Sequence, residues 1–237
     1  MTKFFTPILI LLFVINVTSQ STTVNLDYTV SYEIPSVKKG KDTLNISFDK
    51  EGKYLFTDTN ILAKDLARKV FRTNLTLINN SKISLLFDIK KELAYINFTS
   101  GLNHLFLQID INSFLPNKPV RQDSIESKEV QLNSKQTNEK ALVMNTEYNL
   151  YKIYTSGEVE QPVYVAFDES NSFNINNLLY LFFEKLALTE SNLVKPKNIG
   201  KGIIMQIKNH KGDEILTAIN VLKQQKKIEF NHSFTID

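Results

Sequence analysis

Cysteine and tryptophan are both absent from the 237 residues of this sequence. Without cysteine the chain forms no disulfide, has no cysteine nucleophile and offers no N-terminal cysteine for a lipid anchor. A chain of this length buries roughly 70% of the surface that its unfolded form exposes, so burial alone can stabilise the fold. Small extracellular animal domains tend to be rich in disulfides, and the lack of cysteine therefore favours a bacterial exported protein.

The sequence also lacks an excess of one charge and any cluster typical of catalysis. Lys and Arg total 28 against 25 Asp and Glu, and the two signs alternate along the chain, which excludes the basic face that nucleic-acid binding needs. The histidines His104, His210 and His232 are not spaced as metal ligands, and no Gly-x-Ser-x-Gly occurs. We therefore predict no enzymatic activity, no cofactor, no metal site and no nucleic-acid partner.

Long apolar runs are missing except near the N-terminus. There, a basic residue precedes an apolar stretch over residues 8–17, and the small residue Ser19 follows. This order is typical of a signal peptide over residues 1–19, removed after Ser19. The stretch is shorter than the roughly 20 residues of a membrane span, so we expect no transmembrane anchor. The predicted product is periplasmic or extracellular, with residues 20–237 as a single β-rich domain.

What the sequence has in abundance is alternation of apolar and polar residues. Residues 24–34 alternate without a miss, which predicts a strand with one buried and one wet face. Shorter apolar-rich segments between polar turns predict further strands in an antiparallel meander. These segments are residues 44–48, 54–56, 83–87, 94–98, 105–109, 141–144, 148–154, 163–167, 203–207, 215–222 and 228–236.

Three segments depart from the alternating pattern. Residues 116–140 are polar, and we interpret them as a surface excursion with an edge strand around Val130 and Leu132. Residues 62–70 carry apolar side chains at helical spacing and predict a short helix. Residues 174–188 predict a second helix that is apolar over most of its circumference. Such a helix must be enclosed by the rest of the protein.

Several short motifs follow one another along the chain: Tyr28-x-Val30-x-Tyr32, hairpins over residues 48–56 and 87–98, Val163-Tyr164-Val165-Ala166, and Gly200-Lys201-Gly202-Ile203-Ile204-Met205. This arrangement resembles an uncharacterised family of bacterial secreted proteins and the related family named for its Gly-Leu-Pro-Gly-Leu-Ile signature. Both look like relatives of the lipoprotein-carrier fold. The signature itself is degenerate in this chain.

The resemblance implies a half-barrel, and together with the alternation it predicts an α+β, mainly antiparallel β fold. In this fold one or two helices cover the concave face of a curved sheet. An apolar cavity beneath residues 174–188 would suit a lipid, an acyl chain or a lipidated protein. The hypothesis is an exported, non-catalytic carrier or sensor of an apolar ligand in the bacterial envelope. The alternative is a structural or protein-interaction module with a filled core. The candidate pocket residues are Tyr28, Tyr32, Leu178, Leu179, Phe182 and Phe183.

Overall fold

The protein is described by a computed structural model that covers residues 21–36, 40–59, 81–101, 103–110, 130–155, 161–171, 173, 193–194 and 200–231. Within these residues the regular structure is entirely β, and no helix occurs. The strands are β1 (Ser21–Leu26), β2 (Tyr28–Ser36), β3 (Gly40–Phe48), β4 (Tyr54–Thr57), β5 (Lys82–Asp88), β6 (Leu93–Ser100), β7 (Asn103–Asp110), β8 (Val130–Val143), β9 (Thr146–Thr155), β10 (Val163–Asp168), β11 (Leu193–Val194), β12 (Ile203–Lys208), β13 (Glu214–Leu222) and β14 (Lys226–Asn231).

Twelve of these strands form one large sheet in the order β11-β8-β9-β10-β12-β13-β2-β3-β4-β5-β6-β7. All neighbours in it are antiparallel except the short β11, which runs parallel to β8. The sheet is curved, because Cα atoms of β8 come within 8 Å of β12 and β13 although β9 and β10 lie between them in the strand order. The predicted mainly antiparallel, curved sheet is therefore confirmed.

The alternating residues 24–34 form two strands rather than the single strand predicted. β1 pairs with β14 in a separate two-stranded sheet, whereas β2 lies inside the large sheet between β13 and β3. Asp27 makes the break, because its N–H donates to the Phe48 carbonyl at 2.9 Å and its carboxylate accepts the Lys50 N–H at 2.7 Å. The alternation continues across Asp27, so the pattern alone could not reveal the change of sheet.

The strands around β2 have one apolar and one polar side, as the alternation predicted. On the polar side the hydroxyls of Thr29 and Ser47 are 2.8 Å apart, and the Ser31 hydroxyl donates to Asn45 at 2.8 Å. We call the opposite side the apolar face. By strand register it carries Tyr28, Val30, Tyr32, Ile34, Leu44, Ile46, Phe48, Tyr151, Ile153, Val163, Val165, Phe167, Ile207, Leu216, Ala218 and Val221.

The two-stranded sheet packs on the β4–β7 end of the large sheet. Leu26 of β1 and Phe230 of β14 are buried in one cluster with Phe56, Leu86 and Tyr95. The Phe230 ring lies edge-on to Phe56, with centroids 6.1 Å apart. Strands from the two ends of the described chain therefore meet over the same part of the sheet.

The strand predicted around Val130 and Leu132 is the start of β8, which continues through the polar residues 133–140 that were predicted as surface excursion. Residues 132–140 pair with β9, with an irregularity between Gln136 and Lys140. The polar side chains of residues 133–140 are compatible with a strand because backbone groups form the ladder and most of these side chains are exposed. The rest of that excursion and the predicted helices over residues 62–70 and 174–188 lie outside the described residues.

Candidate functional site

Three aromatic rings pack against one another in a row on the apolar face. Tyr28 and Phe48 face each other across β2 and β3, with ring centroids 5.7 Å apart. The Phe48 ring in turn packs against the Phe173 ring, with centroids 4.3 Å apart. Phe173 is only 2% exposed, and its carbonyl accepts the Gly202 N–H at 3.0 Å. The chain is therefore held on the apolar face at the residue just before 174–192.

The predicted pocket residues divide into two groups. Tyr28 and Tyr32 lie on the same apolar face, four positions apart on β2, as their spacing predicted. The other four lie outside the described residues: Leu178, Leu179, Phe182 and Phe183.

Tyr32 combines an apolar ring with a buried hydrogen bond. Its hydroxyl donates to the Ile204 carbonyl at 3.0 Å, and the side chain is 4% exposed. The pairing of β10 with β12 shifts register next to Ile204. The Ile204 carbonyl therefore lies where the regular pattern of backbone hydrogen bonds between the two strands is interrupted. Burial raises the pKa of the Tyr32 phenol well above its ordinary value of 10.0.

Replacing Tyr32 with phenylalanine should lower the free energy of unfolding by about 1–3 kcal/mol at neutral pH, because the Ile204 carbonyl loses its donor. The native pKa of Tyr32 is raised, so its stabilising contribution is complete below pH about 10 and is lost as the pH rises toward the native pKa. The stability advantage of wild type over Tyr32→Phe should therefore narrow above pH about 10. Urea unfolding at several pH values checks this, and a constant difference would contradict it.

Gly200 and Gly202 are required by close packing at the start of β12. A Cβ on Gly200 would lie 2.6 Å from a carbon of the Phe167 ring, and one on Gly202 would lie 2.0 Å from the Asp168 carbonyl oxygen. Gly202 also has a φ of +101°, which side chains disfavour. The Gly-Lys-Gly motif thus lets the end of β10 and the start of β12 approach each other, and no phosphate-binding role is needed to explain it.

A polar cluster that the sequence did not predict lies where β9 and β10 meet. The Tyr151 hydroxyl donates to the exposed carboxylate of Glu169, and the Asn149 amide donates to its other oxygen at 3.3 Å. Burial, and then the hydrogen bond to Glu169, raises the pKa of Tyr151 to about 12. The Tyr151 ring also packs edge-on against the Phe167 ring, with centroids 5.5 Å apart. We call Asn149, Tyr151 and Glu169 the Glu169 site.

The histidines do not form a site in the part of the chain that the structure covers. His104 is exposed on β7, with a ring nitrogen 3.3 Å from the Thr99 hydroxyl, and His210 is exposed in the turn after β12. His232 lies outside the described residues. Across the described ranges, no three His, Asp or Glu side chains are grouped as metal ligands. Nor do those ranges contain a helix with the length and hydropathy of a membrane span.

The apolar face is covered unevenly. At its centre Val30, Val165 and Ile207 are no more than 2% exposed. Other side chains of the face are half-buried, and several of them are cross-strand neighbours of these three: Ile46 and Val221 lie opposite Val30, and Leu216 lies opposite Ile207. The half-buried side chains are therefore the part of the face that an apolar ligand can contact without displacing the fully buried ones.

No protein-family model matches the chain, and no curated protein is significantly similar to it.

Proposed function

We propose that this is an exported, non-catalytic binding protein that holds a lipid, an acyl chain or another apolar ligand against its apolar face. The observation that carries the proposal is the extent of this face, which runs across neighbouring strands from β3 to β9 and carries mostly apolar side chains. The charged residue Asp42, opposite Ile34, lies at one end of it. The half-buried side chains of the face offer aliphatic and aromatic contacts, the lining typical of lipid sites.

The finer description of the fold belongs to the same proposal. We place the apolar segment 174–188, which includes Leu178, Leu179, Phe182 and Phe183, as a helix that covers the concave side of a half-barrel. Support comes from Phe173, which directly precedes this segment and whose ring packs against that of Phe48. The resemblance to the lipoprotein-carrier fold points the same way and makes a lipidated protein a further ligand of this kind.

Export is also part of the proposal. A signal peptide cleaved after Ser19 would leave β1 complete, since that strand begins at Ser21. Phe230 and Leu26, which are fully buried, could then form their cluster in the cleaved protein. N-terminal sequencing of the protein secreted or released from the periplasm of an expressing bacterium tests this step, with a new N-terminus at residue 20 as the expected result.

Ligand binding is tested by native lipid extraction with mass spectrometry and by titration with a fluorescent fatty acid. We expect co-purified acyl species and saturable binding. Ile46→Gln, at a half-buried position of the apolar face, should weaken binding about tenfold, because about 1.4 kcal/mol of apolar contact is lost. The matched control is Thr43→Gln, an exposed position on the polar side of the same strand, which should bind as wild type does.

The alternative function is a structural or protein-interaction module of the envelope whose core is already full. The near-complete burial of Val30, Val165 and Ile207 favours it, because these side chains have no room for a ligand beside them. The same experiment separates the two functions. A protein that carries no acyl species and does not bind the fluorescent fatty acid would be the structural module.

A further inference from the structure

The hairpin that joins β8 to β9 presents large apolar side chains to solvent. Leu142 is 69% exposed and Met144 is 47% exposed, which makes Leu142 the most exposed large apolar side chain in the described part of the chain. On the other side of the same hairpin, Ala141 and Val143 are buried in the main apolar cluster. The hairpin is therefore packed onto the protein by one side only. We call Leu142 and Met144 the apolar tip.

The backbone at Met144 shows that an apolar side chain occupies this turn at a conformational cost. Met144 and Asn145 have φ values of +52° and +61°, and Val143 pairs with Thr146 across them. Asparagine and glycine are favoured at both positions of such a turn, whereas a long side chain disfavours the left-handed backbone. Burial does not offset this cost, because Met144 is exposed. Backbone outliers of this kind are concentrated at functional sites.

The charges nearest to the apolar tip are neutralised. No charged residue occurs between Lys140 and Glu147, and these two side chains form an ion pair at 2.9 Å. An uncharged end thus stands next to a balanced pair of charges. This order suits shallow insertion into a bilayer, in which apolar side chains reach the boundary of the acyl chains while charged groups remain hydrated.

The small size of the apolar tip favours a membrane over a protein as its partner. Each partner of a stable protein complex contributes roughly 800 Å² of surface, which is far more than two side chains supply. A bilayer requires no matching surface, because membrane binding increases with whatever apolar area is inserted. Insertion of two side chains gives weak and reversible binding, as a carrier that leaves the membrane with its ligand requires.

The apolar tip lies at the same end of the large sheet as the row of aromatic rings. β9 begins just after the tip, and β2 begins at Tyr28. Four antiparallel pairings lead from β9 to β2 through β10, β12 and β13, so β9 and β2 run in the same direction. Their first residues therefore lie at one end of the sheet, where Phe48 is opposite Tyr28. Asp42 lies toward the other end of β3.

We infer that the apolar tip inserts into the surface of a lipid bilayer and brings this end of the apolar face to the membrane where ligand is exchanged. The inference rests on the proposed function and names the surface at which that function operates. Since residues 141–146 carry no charge, binding requires no anionic lipid and persists at high salt, which screens only the electrostatic part of an interaction.

Sedimentation with vesicles of phosphatidylcholine alone, at low and at high salt, tests the inference. We expect the exported form of the protein to bind at both salt concentrations. Leu142→Ser combined with Met144→Asn should weaken this binding about tenfold, because most of the inserted apolar surface is lost. Ile219→Ser is the matched control: Ile219 is as exposed as Met144, at 47%, but lies within β13. This control should bind as wild type does.

Met144→Asn alone distinguishes a membrane contact from a structural role. Asparagine tolerates the left-handed backbone, so this variant should unfold at the same urea concentration as wild type or at a higher one. Its vesicle binding should nevertheless fall. Unfolding at a lower urea concentration would show that Met144 stabilises the fold and would overturn its assignment to the membrane contact.

The absence of cysteine allows the contact to be located on the protein. Leu142→Cys, labelled with an environment-sensitive fluorophore, should shift its emission to the blue when vesicles are added, whereas labelled Ile219→Cys should not. Equal shifts at the two positions would overturn the inference. So would binding only to membranes that retain their proteins, which would indicate a protein partner.

Fatty-acid binding in solution separates this inference from the proposed function. Leu142→Ser combined with Met144→Asn should bind the fluorescent fatty acid as wild type does, because the apolar tip is not part of the apolar face. If wild type binds the fatty acid but not the vesicles, the membrane contact is wrong and the binding function stands. If wild type does not bind the fatty acid, the proposed function itself is wrong.

Discussion

Gly202→Ala is expected to lower the free energy of unfolding by about 3 kcal/mol or more, enough to leave much of a marginally stable domain unfolded. A left-handed backbone costs a residue with a side chain roughly 1–2 kcal/mol, and Gly202 has a φ of +101°. The added Cβ would also lie 2.0 Å from the Asp168 carbonyl oxygen, which is backbone and cannot rotate away. Relieving that overlap costs a further 1–3 kcal/mol or so.

Gly212→Ala separates the two causes. Gly212, in the turn between β12 and β13, has a φ of +88°, but a Cβ there would meet nothing within 4 Å. It should therefore show the conformational cost alone, about 1 kcal/mol. Urea unfolding of both variants gives the comparison. If the two alanine variants were equally stable, the close approach of β10 and β12 at Asp168 would be wrong.

The positions of the strands were largely predictable because the alternation depends on burial. Val30 is buried and its neighbours Thr29 and Ser31 are partly exposed, so the side chains themselves record which way each residue faces. In the described part of the chain each predicted strand segment overlaps a strand, although residues 24–34 form two strands and residues 232–236 lie outside the described residues. β11 escaped prediction because two residues are too few to show a period.

The pairing of the strands could not be predicted in the same way. Tyr32 and Ile204 are hydrogen-bonded although they are separated by 172 positions in the chain. Nothing in the local pattern around β2 identifies β13 as its neighbour, since any strand with an alternating face would match equally well. Residues 133–140 were interpreted as part of a surface excursion for a related reason: their strand depends on backbone bonds to β9, and their side chains carry no apolar alternation.

The candidate site was predicted in part for the same reasons. Alternation placed Tyr28 and Tyr32 on one face, because it needs only their spacing. The Glu169 site depends on the register that sets Tyr151 opposite Val165, and so brings β9 alongside the end of β10. In the sequence, Glu169 is an ordinary acidic residue after a strand. Only the strand pairing brings the Tyr151 hydroxyl and the Asn149 amide to it.

Phe173→Ala is expected to lower the free energy of unfolding by about 3–5 kcal/mol, the usual cost of truncating a buried phenylalanine. Phe173 is nearly inaccessible to solvent, and its ring centroid lies 4.3 Å from that of Phe48. A double-mutant cycle with Phe48→Ala should give a coupling of about 0.5–1.5 kcal/mol for this aromatic pair. Chemical denaturation of the two single variants and the double variant provides the measurement.

Because Phe173 directly precedes residues 174–188, its removal should also weaken fatty-acid binding if that segment covers the ligand. Additive effects on stability would show that the rings do not meet and would remove the main support for placing the apolar segment over the apolar face.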